Sequence, residues 1–356
     1  MSGGDGGLHV LVPGRLDRRT GGSIYDRRMV EGLRAAGRSV TVRELPGDWP
    51  APDDAAQAAY EAALAAAPDG ALVVVDGLVF GAAPDIAARH AERLTLIALV
   101  HHPLCDEEGV SPDAAERLFE SERAALAEAA AVIATSPFTA RRLGAFGLEP
   151  AAVWVAAPGV DPAPLASGGR GSGVRLLCAA TLIPRKGHAD LLRALARLAD
   201  LDWRLDCVGA ADLHPPTAEA VRRLTEELGL SERVAWRGEV DEAGLAAAYD
   251  AADLFVLPSR YEGYGMVVTE ALARGLPVVT TTGGALADTL PPEAGLAVPP
   301  GDVAALADAL RRAVGDRALR AELAAGARWA RDALSPWPAQ AARFAGVLRA
   351  IEEARR

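Results

Sequence analysis

Short runs of aliphatic and β-branched residues alternate along the chain with alanine-rich stretches that show helical periodicity. Strands buried on both faces appear as nearly continuous hydrophobic runs, and the helices between them cover a parallel sheet. The first half contains six predicted strands, at Leu8–Val12, Ser39–Glu44, Leu72–Asp76, Leu94–Val100, Ala131–Thr135 and Val153–Ala156. Helices are predicted between them, near residues 23–36, 54–67, 84–93, 112–128 and 137–146.

A segment rich in proline and glycine, Pro158–Gly173, follows the first half and is predicted to be a linker. The alternation then restarts with predicted strands at Arg175–Ala179, Arg204–Val208, Val234–Trp236, Leu254–Leu257, Pro277–Thr280 and Leu296–Val298. Helices are predicted near residues 187–200, 217–228, 242–251, 266–274, 303–314, 317–333 and 336–354. The pattern predicts an α/β protein with two doubly wound parallel-sheet domains, residues 1–162 and 163–335, that face each other across a cleft.

Composition and charge narrow the function classes. Half of the 356 residues are hydrophobic and 24% are charged, which excludes a disordered or collagen-like chain. The formal charge of −11 argues against a nucleic-acid partner, since such proteins carry a basic face. Three scattered cysteines, Cys105, Cys178 and Cys207, are predicted to be buried or free thiols in a reducing compartment. No apolar run approaches a membrane span and the first residues lack a signal core, so the expected location is the cytoplasm.

Ligands of parallel α/β sheets bind beyond the carboxyl ends of the strands, so the loops there are the candidate sites. In the first half, Gly21 and Gly22 precede a helix, where backbone N–H groups suit an anion; an ordinary tight turn explains them equally well. His101 and His102 follow the strand Leu94–Val100, where an imidazole can donate to a sugar hydroxyl. A plain surface loop remains an alternative. A metal site is disfavoured, because adjacent histidines cannot easily ligate one ion.

In the second half, Arg185 and Lys186 follow a strand and open a helix, and Lys186 is the single lysine of the chain. A guanidinium and an ammonium at a helix N-terminus favour a diphosphate; a solvated basic loop is the alternative.

The most specific pattern surrounds Glu262 and Glu270. The strand Leu254–Leu257 runs into a glycine-containing loop and then into a helix that starts at about Gly265 or Met266. Ionised carboxylates accept hydrogen bonds from vicinal hydroxyls, and the amides of the loop suit a phosphate. A ligand with hydroxyls at both ends and a diphosphate between them is a nucleotide sugar.

The triplet Asp200-Leu201-Asp202 looks like a metal-binding motif, but it lies at the opposite end of the sheet and is predicted to be a turn.

Taken together, these residues resemble the retaining glycosyltransferases of family 4, which have the GT-B architecture, over nearly the whole chain. The resemblance rests on Gly21-Gly22 with Tyr25, Pro184-Arg185-Lys186-Gly187, Glu262 and Glu270 separated by seven residues, Gly275-Leu276-Pro277-Val278-Val279, Gly283-Gly284, and Val298-Pro299-Pro300-Gly301-Asp302. It implies that the last helix, residues 336–356, packs back on the N-terminal domain, which binds the acceptor.

The resemblance also implies a role for each matching residue. Glu270 is expected to hold the ribose hydroxyls, Glu262 to bind the donor sugar, and Arg185 with Lys186 to stabilise the leaving diphosphate. His101, in preference to His102, matches the histidine that the family carries in its first domain. The other residues expected to contact the donor are Gly21, Gly22, Thr181, Arg237, Gly263, Tyr264, Gly265 and Met266. The chain departs from the family at Thr181, where an arginine is common, and at Asp288, where a glutamate is usual.

The resulting hypothesis is transfer of a hexose-type sugar from a nucleotide diphosphate donor to an acceptor hydroxyl, with retention and by front-side displacement. No metal or other cofactor is expected, because Arg185, Lys186 and helix N-termini can neutralise the diphosphate. The alternatives are a nucleotide-sugar epimerase or hydrolase on the same fold and a non-catalytic sugar-nucleotide-binding protein. The acceptor is a small molecule, a glycan or a lipid, and membrane association is the less favoured option. The oligomeric state stays open.

Overall fold

The computed structural model describes residues 7–169, 171 and 173–355. Contacts divide the chain into two units, one ending at Gly159 and including the segment from Ser335, the other spanning Val160–Leu334. The first division lies at the start of the predicted linker Pro158–Gly173, of which residues 170 and 172 are outside the described part. The predicted boundaries, 162/163 and 335/336, lie within three residues of those observed.

The first unit, in its described residues, contains a parallel sheet in the strand order β2-β1-β3-β4-β5-β6. Its strands are β1 (Leu8–Pro13), β2 (Val40–Leu45), β3 (Leu72–Asp76), β4 (Thr95–Val100), β5 (Ala131–Ala134) and β6 (Val153–Val155). Its helices are α1 (Gly21–Ala35), α2 (Asp54–Ala65), α3 (Gly77–Phe80), α4 (Pro84–His90), α5 (Pro112–Ala127) and α6 (Pro137–Arg142), with 3₁₀ turns at Leu104–Asp106, Leu143–Phe146 and Pro150–Ala152. Every residue of β3 and β4 is buried, as expected for central strands covered on both faces.

The second unit repeats this plan, with a parallel sheet in the order β12-β11-β10-β7-β8-β9. Its strands are β7 (Val174–Ala179), β8 (Trp203–Val208), β9 (Val234–Gly238), β10 (Leu254–Leu257), β11 (Val278–Thr281) and β12 (Gly295–Val298). Its helices are α7 (His188–Ala196), α8 (Pro215–Glu227), α9 (Glu242–Asp250), α10 (Met266–Ala273), α11 (Leu286–Thr289), α12 (Val303–Gly315) and α13 (Arg317–Arg331), with 3₁₀ turns at Pro184–Lys186 and Pro292–Ala294. The final helix, α14 (Trp337–Ala354), belongs to the first unit and packs on α1.

Strand order determines where a crevice forms at the edge of each sheet. In the first sheet the order reverses direction between β1 and β3, and in the second between β7 and β10. The connections leaving neighbouring strands at such a point go to opposite faces, so a crevice forms outside the carboxyl ends of the strands. The loops after β1, β3 and β4 therefore lie near one crevice, and those after β7 and β10 near the other.

Local sequence explains several element boundaries. Helices α5 and α6 begin with Ser-Pro, and the hydroxyls of Ser111 and Ser136 accept hydrogen bonds from Ala114 N (3.3 Å) and Thr139 N (3.0 Å). The predicted helix 137–146 is α6 followed by a 3₁₀ turn. The sequence pattern did not reveal α3, which follows β3 directly because the Asp76 carboxylate accepts from Leu78 N at 2.7 Å.

The structure also tests the predictions about the cysteines and about membrane-spanning segments. All three cysteines are free thiols; Cys178 and Cys207 are buried on neighbouring strands and Cys105 is half-buried. No helix within the described residues is long and apolar enough to cross a bilayer.

The contact between α1 and α14 depends on Gly32. A methyl group added at Gly32 would lie 2.2 Å from Cβ of Ala341, far inside van der Waals contact. We expect Gly32→Ala to lower the free energy of unfolding by about 1–3 kcal/mol, the usual cost of overpacking. The matched control is Gly346→Ala on α14, where the added methyl would meet only the end of Arg349 at 3.8 Å and would raise stability by up to ~1 kcal/mol through helix propensity. Urea denaturation followed by circular dichroism measures both. Equal stability of the two variants would contradict this packing.

Candidate functional site

The loops after β7 and β10 meet at an ion pair around the buried carboxylate of Glu262. Lys186 Nζ lies 2.5 Å from Oε1 of Glu262, and the hydroxyl of Ser259 donates to the same oxygen at 2.6 Å. Arg185 Nη1 lies 3.6 Å from the other carboxylate oxygen. These residues come from the two strands that flank the reversal of strand order, so the fold itself brings them together.

Burial and charge oppose each other at Glu262, which is only 8% exposed. Burial alone would raise the pKa of Glu262, but the charges of Lys186 and Arg185 outweigh it and hold that pKa below its usual range. Glu262 is therefore ionised at neutral pH and can only accept hydrogen bonds.

Backbone contacts fix the two loops to each other. Arg260 N donates to the carbonyl of Arg185, and the Arg185 guanidinium donates to the carbonyl of Tyr261, both at 2.8 Å. Gly187 has φ of 68°, and a side chain there would approach the carbonyl oxygen of Pro258 to 2.2 Å. Glycine is thus required at this position for both conformation and space.

A second ion pair supports the same junction. The guanidinium of Arg260 donates to Oδ2 of the buried Asp190, on α7, from Nε at 3.1 Å and from Nη2 at 3.0 Å. This pair ties the loop that carries Glu262 to the helix that follows Lys186.

The Gly283-Gly284 turn after β11 packs against the loop of Glu262. Added Cβ atoms would lie 2.2 Å from the carbonyl oxygens of Arg260 and Glu262, and Ala285 N donates to the Glu262 carbonyl at 2.8 Å. These contacts indicate that the turn supports the backbone of Glu262.

Glu270 lies on α10, half-buried, where the phenol of Tyr249 donates to its Oε2 at 3.0 Å. The guanidinium of Arg274 stacks on the Tyr249 ring at 4.3 Å and donates to the Glu270 carbonyl. Helix α10 begins at Met266 after Gly265, and no side chain caps it. The first amides of a helix carry partial positive charge, which suits a phosphate as the sequence predicts.

The other candidates of the second unit are more dispersed. Arg237 on β9 donates from Nε to Asp206 on β8 at 2.7 Å. Thr181 is half-buried in the loop after β7, with Gly263 and Tyr264 half-buried in the loop after β10. Burial raises the pKa of the Tyr264 phenol.

In the first unit, His101 contacts two buried carboxylates. Its Nε2 lies 3.2 Å from Oδ1 of Asp26, on α1, and 3.3 Å from Oδ2 of Asp76, at the end of β3. His102 lies instead 3.1 Å from the carboxylate of Glu107. Gly21 and Gly22 form the first turn of α1, and a Cβ at Gly22 would lie 3.7 Å from the His101 ring.

The ligand atoms of Asp26, Asp76 and His101 lie within 4.8 Å of one another, a spacing that a metal ion could bridge. The imidazole of His101 already contacts both carboxylates through Nε2, however. A protonated ring therefore supplies the positive charge that a metal ion would bring to this position.

Sequence reasoning missed Ser259, Asp26, Asp76 and the Arg260–Asp190 pair. A signal was present for two of them. Asp26 lies on the buried face of α1 beside Tyr25 and Met29, and Asp76 ends an otherwise aliphatic strand. An acid on an apolar face is an outlier, since a buried charge is costly unless it is paired.

Comparison with known proteins agrees with this geometry. Residues 173–316 match the family model "Glycosyl transferases group 1". The chain is 35% identical over 195 residues to a GDP-mannose-dependent alpha-(1-6)-phosphatidylinositol monomannoside mannosyltransferase of Mycolicibacterium smegmatis, covering 51% of this chain and 49% of that protein. It is 36% identical over 144 residues to a D-inositol 3-phosphate glycosyltransferase of Xylanimonas cellulosilytica, covering 40% of this chain and 34% of the relative. The chain thus spans half or less of the length of these relatives.

Among solved structures, sucrose-phosphate synthase from Thermosynechococcus elongatus superposes with a TM-score of 0.81 at 24% identity, over 98% of this chain and 100% of that one. This similarity confirms the predicted fold class, with two parallel-sheet α/β units. The chain therefore has the two-unit α/β fold of the GT-B type, and its residues 173–316 match a group 1 glycosyltransferase domain.

Proposed function

We propose that this protein transfers a hexose-type sugar from a nucleotide diphosphate donor to an acceptor hydroxyl, and that the second unit binds the donor. The observation that carries the proposal is the contact of the half-buried Lys186 and Arg185 with the buried carboxylate of Glu262. This contact places two cations beside a carboxylate that stays ionised. A sugar diphosphate requires such a set of groups, because its phosphates need hydrogen-bond donors and its hydroxyls need an acceptor.

Each part of the donor has a partner in this assignment. The ammonium of Lys186 and the guanidinium of Arg185 meet the diphosphate, assisted by the first amides of α10. Glu262 accepts from hydroxyls of the sugar, and Glu270, held by Tyr249, accepts from the ribose diol. Charge that develops on the leaving diphosphate is stabilised by the preorganised Lys186 and Arg185, so the chemistry is proposed to need no metal.

The reaction is proposed to proceed with retention by front-side displacement. The acceptor oxygen forms a bond to the anomeric carbon on the face from which the phosphate oxygen departs. The proton of the acceptor hydroxyl passes to that phosphate oxygen, so atoms and charge balance without an enzyme nucleophile.

The relatives suggest where to look for substrates. The mycobacterial relative is named for GDP-mannose and a phosphatidylinositol monomannoside, the other for D-inositol 3-phosphate. We propose GDP-mannose as the first donor to test and inositol-containing small molecules or lipids as the first acceptors.

Incubation with GDP-mannose, UDP-glucose or ADP-glucose and such an acceptor panel tests the function. Mass spectrometry is expected to find a glycosylated product whose anomeric configuration, by NMR, matches that of the donor. Donor-only controls separate this activity from epimerisation and hydrolysis. Absence of both product and nucleotide binding across the panel would overturn the proposal.

Replacement of Lys186 tests the diphosphate contact. We expect Lys186→Ala to reduce kcat about 10²–10³-fold, as loss of one preorganised charge-stabilising group does elsewhere. The control is Arg311→Ala, which removes an exposed cation paired with Asp200 on the same unit and is expected to leave turnover unchanged. Circular dichroism checks that both variants fold. Wild-type kcat in a folded Lys186→Ala variant would refute the assignment.

Replacement of Glu270 tests the ribose contact separately. Glu270→Gln keeps the shape of the side chain but weakens its acceptance from a diol, so the Kd for GDP is expected to rise roughly tenfold, the equivalent of about 1.4 kcal/mol. Glu293→Gln, at an exposed glutamate of the same unit, is the control. Titration calorimetry measures both. An unchanged Kd for Glu270→Gln would remove Glu270 from the nucleotide site.

A further inference from the structure

The contacts of His101 in the first unit form a closed arrangement around one ring nitrogen. Asp26 and Asp76 approach Nε2 from α1 and from the end of β3, at 3.2 and 3.3 Å. Both carboxylates are 3% exposed. The side chain of His101 retains 19% exposure, and Nδ1 has no hydrogen-bond partner among the described residues. One ring nitrogen is thus committed to the carboxylates, and the other remains for a ligand.

The position of the ring is fixed from several sides. The hydroxyls of Thr135 and Thr139 donate to the His101 carbonyl at 3.3 and 3.4 Å, and the ring of Tyr25 packs edge-on at 5.2 Å. Asp76 is itself fixed, because its Oδ1 caps α3 through Leu78 N while its Oδ2 faces His101. A preorganised ring loses little freedom when it binds.

The charge state follows from the same neighbours. Burial opposes the charge of His101, but Asp26 and Asp76 outweigh it and raise the pKa of the imidazole to about 10. Burial raises the pKa of Asp26 to about 6, even though His101 counteracts the increase. The charged groups that face His101 are therefore Asp26 from α1 and Asp76 from β3, and the titratable Tyr25 adjoins them. A pKa raised in this way favours a ring that carries a proton on both nitrogens at neutral pH.

We propose that Asp26 and Asp76 are positioning residues that hold His101 as an imidazolium whose Nδ1–H donates to a neutral hydroxyl of a ligand bound by the first unit. This rests on the proposed sugar transfer for the identity of the ligand. A hydroxyl fits better than a phosphate, because the two carboxylates beside the ring disfavour an approaching anion. A donor that is charged at every working pH forms a stronger bond than a neutral imidazole and needs no particular tautomer.

The titration of His101 tests the proposal without any substrate. In protein carrying ¹³C-labelled histidine, the six imidazole signals are followed by NMR between pH 5 and 11, and His101→Gln identifies the signal of His101. We expect the wild-type ring to stay protonated through pH 9. In Asp26→Asn and Asp76→Asn the midpoint is expected to fall by roughly one to three pH units. Asp85→Asn, at an exposed site on α4, is the control and is expected to change nothing.

Asparagine preserves the size of each side chain, and its oxygen at position 76 can still cap Leu78, so the variants keep the local packing. A wild-type midpoint near 6.5 would overturn the proposal even if neither variant folded. This readout is independent of catalysis, so it distinguishes failure of this inference from failure of the proposed sugar transfer.

The pH profile of transfer separates positioning from a merely structural role. In Asp26→Asn and Asp76→Asn, kcat/KM is expected to decline above the new midpoint of His101 and to recover when the pH is lowered. A structural role would reduce kcat/KM by the same factor at every pH, and that result would contradict the proposal.

Discussion

The ion pair between Lys186 and Glu262 is the constraint on which the second unit's site depends. A carboxylate that is 8% exposed remains ionised only because cations compensate for its lost hydration. Replacing Lys186 would leave the buried Glu262 with Arg185 as its remaining cation in this contact, and replacing Glu262 would leave the two cations beside each other without that carboxylate. The backbone bonds between Arg185 and the 260–261 segment, and the close approach of Gly187 to Pro258, show that the surrounding loops are built to hold this pair.

In both units, the order of the strands brings charged groups together. In each sheet the strand order reverses once, and the strands flanking that point deliver polar residues at their carboxyl ends. β7 and β10 supply Lys186 and Glu262, which are 76 residues apart. In the first sheet, β3 supplies Asp76 and the helix after β1 supplies Asp26, while His101 follows β4, the next strand along. Because the strands are buried on both faces, their direction is fixed by packing, and the precision of the sites derives from the cores beneath them.

The sequence was informative where a signal is local. Hydrophobic runs located the twelve strands of the described chain, Ser-Pro pairs marked two helix starts, and the Glu262 and Lys186 loops were recognised by residue type next to a strand end. Contacts across long separations left no such pattern. Nothing adjacent to Ser259 indicates that its hydroxyl binds Glu262, and α3 is too short to show a helical period. Asp26 and Asp76 were detectable only as acids in apolar surroundings, and their shared partner, His101, required the three-dimensional register.

The cluster in the second unit has two cations around one carboxylate, and the cluster in the first unit has two carboxylates around one imidazole. This difference in charge affects which ligands each cluster can bind. Lys186, Arg185 and Glu262 together carry a formal charge of +1, which favours a ligand that brings phosphate. Asp26 and Asp76 place two carboxylates beside His101, which disfavours phosphate; in the proposed arrangement the Nδ1–H of His101 is the donor for a neutral hydroxyl. Each ionised group at the centre of its cluster, Glu262 or His101, is held in its charged form by neighbours of the opposite sign. In both units, neighbours of opposite charge keep a central group ionised. The sign of the net charge of each cluster then determines whether the cluster is compatible with a phosphate or with a neutral hydroxyl.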